Sequence, residues 1–91
     1  MISLADCIAM CGLDEDQVLA IAEHEHVPEI VAAGLAQYML RSGRGSVAIR
    51  DMIIEDVRCA QQRADKPHVR HLLHVLHHYL RDHPEARFPK R

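Results

Sequence analysis

Residues 30–40 are apolar on nearly every side of the helix they are expected to form. Ile30, Val31, Ala32, Ala33, Leu35, Ala36, Met39 and Leu40 fill it, with Gly34 in the middle. A helix of that kind has to be covered all round, in the centre of a bundle or at an interface between chains. A chain of 91 residues has room for one domain and one modest core. That core must be aliphatic, because hydrophobic residues are 48% of the sequence and aromatics only 3%. Small side chains bury little area each, at roughly 25 cal/mol per Å², so a single copy is expected to be marginally stable. The expectation is a homo-oligomer, most simply a C2 dimer with residues 30–40 at or near its interface. Gly34 lets another helix approach closely, and Ala33→Glu is expected to dissociate or unfold the assembly.

The remaining segments carry the same helical period. Ser3 can cap a first short helix through Cys11, which Gly12 stops. Asp14 can cap the next, whose acidic first turn of Asp14, Glu15 and Asp16 suits the positive end of a helix dipole. There Val18, Ile21, Ala22 and Glu25 recur at helical spacing, so an apolar stripe runs into a carboxylate. Val27 is a poor cap for a fresh helix, and the reading adopted is one helix kinked at Pro28. Residues 42–46 form the clearest turn, with Gly43 ending one helix and Ser46 capping another. It lacks the Lys and the spacing of a phosphate-binding loop and is assigned as a connector.

Ile49, Ile53, Val57 and Ala60 then make a clean i,i+4 stripe. Asp65-Lys66-Pro67 restarts the chain, and Val69, Leu72, Leu73, Leu76 and Leu80 are expected to face inward from the last helix. Pro84 closes it. No segment reads as a strand, a repeat or a low-complexity tract. The expected fold is all-α, a compact bundle of four to five short helices, one kinked at Pro28. Residues 1–83 form the single domain, and residues 84–91 a frayed basic tail.

The stretch Glu23-His24-Glu25-His26-Val27-Pro28-Glu29 is the most pointed chemical feature. On a continuous helix, Glu23 with His26, His26 with Glu29, and Glu25 with Glu29 would share a face. Carboxylate oxygen with imidazole nitrogen is a ligand set for iron, zinc or manganese. Glu25 continues an apolar stripe, and a buried carboxylate needs a partner such as a metal, a histidine or an arginine. The expected site therefore comprises Glu23, Glu25, His26 and Glu29 around a divalent transition metal. A polar, solvated helix face is the plainer reading of the same residues.

Few ligands from one helix fill a coordination shell, so a second element is expected to contribute. His71, His74 and His78 lie on one face of the last helix and are the second-tier ligands. The plainer reading of that ladder is a polar surface that uses histidine. Pro28 excludes the His-Glu-x-x-His pattern of zinc proteases.

Formal net charge is −2 with the eight histidines neutral, which does not suggest a nucleic-acid binder. Residues 1–45 hold seven acidic side chains against Arg41 and Arg44, whereas residues 46–91 hold nine basic against six acidic. Cys7, Cys11 and Cys59 form no C-x-x-C pair, and their apolar neighbours suggest small buried hydrophobes in a reducing compartment. An i,i+4 soft-metal pair of Cys7 and Cys11 is the alternative. The N-terminus lacks a basic region before its apolar residues and carries Asp6, a poor signal peptide. No apolar run is long enough to span a bilayer. Serines fall in caps and the turn rather than beside a His/Asp pair, which gives nucleophilic catalysis no support.

From Ile21 through Ala33, a run that contains the Glu/His cluster, the sequence resembles a group of small bacterial helical proteins without an assigned activity. The resemblance continues weakly over Val75, Leu76, His77 and His78. It implies a bacterial cytoplasmic protein and brings no activity with it. A partial similarity to ferritin-like proteins covers Glu23 and His26 alone, as one Glu-x-x-His half-site. Two functions stand open at this point: a metal-binding helical protein, or a non-enzymatic protein-interaction or regulatory module without metal.

Overall fold

The computed structural model describes residues 13–87. Within them the chain forms α1 (Glu15–Glu25), α2 (Glu29–Met39), α3 (Gly45–Gln62), α4 (Lys66–Asp82) and a 3₁₀ turn over Pro84–Ala86. The described residues contain no strand, so the fold is a small all-α bundle. The expected helix from Ser3 to Cys11, with Cys7 and Cys11, lies outside the described residues.

Local chemistry sets most of the boundaries. Asp14 caps α1 in a reciprocal box. Its Oδ1 accepts from the Gln17 amide at 2.9 Å, and the Gln17 side-chain oxygen accepts from the Asp14 amide at 3.2 Å. The far end of α1 differs from the expected kink at Pro28. His26 sits in the left-handed region at φ 56, and the amides of His26 and Val27 both turn back to the Ala22 carbonyl. That closes α1 in a Schellman-type end. Pro28, extended at ψ 156, is then the N-cap of a separate α2. A proline has no amide to lose at a helix start, so the break avoids the penalty of a proline inside a helix.

The turn between α2 and α3 also departs from expectation. Gly43 meets open space, whereas a Cβ on Gly45 would lie 1.5 Å from the Met39 carbonyl oxygen. Gly45 therefore is the glycine the turn requires, where backbone packs directly on backbone. Ser46 is buried inside α3 rather than capping it; Arg44 holds the N-cap position without a side-chain bond. Between α3 and α4, Ala64 adopts φ 58 and the Asp65 amide reaches back to the Ala60 carbonyl at 3.0 Å. Asp65 then caps α4 through the His68 amide.

The other helices and the 3₁₀ turn all pack on α3. Its stripe of Ile49, Ile53, Val57 and Ala60 is buried as expected, against Val18 and Ile21 of α1, Ala32, Ala33 and Ala36 of α2, and Leu72 and Val75 of α4 within one core. Leu73, expected inside, is 48% exposed, and the inward line of α4 runs instead through Leu72, Val75 and Tyr79. Tyr79 is wholly buried and donates its hydroxyl to the Ser46 carbonyl at 2.7 Å, tying α4 to the start of α3. Burial pushes its phenol well above the ordinary tyrosine range. The Arg50 guanidinium donates to the Ala86 carbonyl at 2.9 Å, and Ala86 is buried. The segment after Pro84 thus stays packed through Ala86, past the boundary expected at residue 83. Cys59, expected in the core, is exposed.

These backbone constraints set opposite signs for three substitutions. Gly45→Ala should cost several kcal/mol or prevent folding, because the clash is with backbone and cannot be relieved by a rotamer change. Gly43→Ala should be tolerated, and Ala64→Gly should stabilise by about 1 kcal/mol through relief of a left-handed non-glycine residue. Urea unfolding of the three variants checks the order.

Candidate functional site

Three helices bring titratable side chains together at the C-terminal end of α1. Glu23 and His24 occupy its last turns, Glu55 and Asp56 come from the middle of α3, and His68 from the first turn of α4. His68 Nε2 lies 2.8 and 3.0 Å from the two oxygens of Glu23, a bidentate contact linking residues 45 apart in sequence. His24 turns the other way. Its Nδ1 is 2.9 Å from Glu25 and its Nε2 is 3.9 Å from Glu55.

Asp56 is the buried member, at 4% exposure, and its Oδ2 has no hydrogen-bond partner. An ionised carboxylate in that position lacks both water and a donor, so the proton stays on longer. Burial, with the negative charge of Glu23 and a smaller effect of Glu55, pushes the Asp56 carboxyl up from 3.8 to about 7, against the opposing pull of His24 and His68. Sequence reasoning passed over this residue. Its signal lay in spacing: Asp56 is three residues after Ile53 and four before Ala60, on the buried line of α3.

The ligand set expected from residues 23–29 depends on a helix running through Pro28, and the structure distributes those four residues instead. Glu23 points to His68. Glu25 is exposed on the side of His24, not buried beneath the apolar stripe. His26 is exposed at the left-handed end of α1, off the helical face of Glu23. Glu29 opens α2, where its charge favours the helix dipole. Among the described residues, no group of three or more His, Cys, Asp or Glu side chains is arranged to hold a metal ion.

The second-tier histidines stay on α4. His71 stacks near His68 with ring centroids 6.2 Å apart, and His74 and His78 meet through their Nε2 atoms at 3.0 Å. None of the three is close to the polar cluster except through His68.

A third feature is apolar. On α2 the small residues Ala32, Ala33 and Ala36 face the core, while Ile30, Val31 and Tyr38 are 50, 51 and 75% exposed. At 100° per residue, Ile30, Val31, Gly34 and Tyr38 fall within a single 100° sector of the helix. The space beside Gly34 is open. Among the described residues, no helix is long and apolar enough to cross a membrane.

No protein-family model matches the chain, and no curated protein or solved structure is significantly similar to it.

The position of Asp56 makes stability depend on pH with a defined sign. Its carboxyl holds a proton more tightly in the folded chain than in the unfolded one. The stabilisation is complete below about pH 3.8 and is lost as pH rises to about 7. Asp56→Asn removes that loss. The variant should match the wild type near pH 4 and exceed it at pH 8 by on the order of 3 kcal/mol. Denaturant unfolding at the two pH values reads the difference, and an equal gap at both would contradict it.

Proposed function

We propose that this chain is a non-enzymatic interaction module that acts as a symmetric homodimer, with α2 of each copy packed on the other. The supporting observation is the exposed stripe of Ile30, Val31 and Tyr38 around a bare Gly34. A soluble monomer seldom presents large apolar side chains in one contiguous band, and such bands mark association sites. Residues 30–40 carry no charge, so the face offers nothing for a charged partner to complement. A second copy supplies the same uncharged stripe. The glycine notch lets the two helices approach without displacing a side chain, and a two-fold axis closes the contact so that it does not propagate.

Ala33→Glu is a poor probe of this contact, because Ala33 is 1% exposed and packs within its own chain. That substitution would bury an unpaired charge in the core. Gly34→Glu is the discriminating variant. It places a charge at the centre of the stripe, fits the open space beside Gly34, and replaces glycine with a residue roughly 0.5 kcal/mol better in a helix.

Sedimentation velocity should show a wild-type dimer at micromolar concentration and a monomeric variant with undiminished helix content. The thermal midpoint should rise with protein concentration for the wild type and not for the variant. A wild type that stays monomeric at high micromolar concentration, or a variant that still dimerises, would reject the proposal.

A further inference from the structure

Of the α4 histidines, His68 belongs to the acid–imidazole cluster, whereas His74 and His78 contact each other. We infer that His74 and His78 form a bidentate site for a divalent transition cation, nickel or copper in preference to zinc.

The two residues are one turn apart at i and i+4, and their Nε2 atoms face each other at 3.0 Å. Their rings meet edge to face with centroids 4.4 Å apart. Two imidazole nitrogens at that separation share one proton, donated by one Nε2–H to the lone pair of the other. A cation can take the place of that proton when the protonated ring shifts to its Nδ1–H tautomer. Both Nε2 lone pairs then point at the ion, and no proton need leave the protein.

The spacing also speaks to the kind of ion. With metal–nitrogen bonds of about 2.0–2.1 Å, two nitrogens at a right angle are about 2.9 Å apart, and at the tetrahedral angle about 3.4 Å. The observed 3.0 Å is close to the first. Adjacent positions at a right angle belong to square-planar and octahedral ions, the geometries of copper(II) and nickel(II), while zinc prefers the tetrahedron.

The scaffold holds the pair in place. Val75 and Tyr79, each next in sequence to one of the two histidines, are buried in the core and fix the rotation of α4. His74 is exposed and His78 half-buried, which leaves the remaining coordination positions to water. Ligand geometry held by a packed helix reduces what ordering costs on binding. His77 touches His78 only edge-on, with centroids 5.8 Å apart, and stands outside the pair.

The test uses the full chain without a histidine tag, stripped with a chelator and then titrated with nickel chloride by calorimetry. One nickel ion should bind per chain, more tightly than zinc under the same conditions, and should raise the thermal midpoint reversibly on chelator addition. His74→Ala and His78→Ala should each weaken binding by about tenfold or more, because each removes one arm of an intramolecular chelate, while His77→Ala changes it by less than about twofold. Nickel binding that survives the His74→Ala/His78→Ala double substitution would overturn the site, whichever other side chains then hold the ion. So would a His77→Ala loss equal to that of His74→Ala. Because the pair is remote from Gly34, Gly34→Glu should bind nickel as the wild type does, so the site and the dimer fail or stand separately.

Discussion

The buried stripe of α3 is the constraint on which the rest of the bundle depends. Every other described element packs against this helix, so its four inward apolar residues must serve three neighbouring helices at once. The two halves of α3 solve that problem with different chemistry. Near the start, hydrogen bonds to main-chain carbonyls lock the neighbours in place: Tyr79 to Ser46, and Arg50 to Ala86. Buried polar groups that find such partners add specificity at little cost. Farther along the helix the contact is between a carboxylate and an imidazole, Glu23 and His68, with the buried Asp56 nearby. There one carboxyl oxygen is left without a donor.

That polar end is consistent only if charge is shared sparingly. Two carboxylates, Glu23 and Glu55, crowd Asp56, and two imidazoles, His24 and His68, offset them. Below about pH 7, a protonated Asp56 removes one negative charge from the least solvated position beside Glu23 and His68. The pair then joins α1 to α4 directly, beside the middle of α3. A buried ion pair is weak evidence for stability in general, because desolvation offsets attraction. Here the Glu23–His68 contact is half-exposed, and the buried carboxyl, Asp56, is the one held protonated up to about pH 7. That arrangement lowers the cost on both counts.

Much of this fold was legible in the sequence, for reasons that trace to particular residues. The Asp14 cap, the i,i+4 line from Ile49 to Ala60 and the restart at Asp65 are local signals that the folded chain keeps. What was not legible depended on backbone conformation or on contacts distant in sequence. His26 in the left-handed region replaces the expected kink, and no propensity argument favours histidine there over glycine. Gly45 outranks Gly43 because of a carbonyl six residues earlier that only the folded turn brings near. Asp56 was missed because its burial depends on α1 and α4, which are distant from it in sequence. Its place three residues from Ile53 could have exposed it, had the stripe been traced at i+3 as well as i+4. The candidate site shared the fate of the kink: once α1 ends at Glu25, the residues from 23 to 29 no longer have a common face.

The same logic explains why α2 presents its larger side chains outward. Helices approach closely where the contact residues are small, and Ala32, Ala33 and Ala36 allow α2 to sit tight against α3 and α1. Alanines, however, remove little apolar area from water, about 25 cal/mol for each Å². Leu35 and Met39 add partly buried area against the core, but Ile30, Val31 and Tyr38 lie on the side turned away from the chain's own core. Turning the helix to bury those residues would force the bundle apart by the width of an isoleucine and expose the alanine face in exchange. The chain therefore obtains close packing through its alanines and leaves Ile30, Val31 and Tyr38 exposed. A bundle with so few aromatics has little other apolar area in reserve, which is the physical ground on which the proposed dimer contact rests at that outward face.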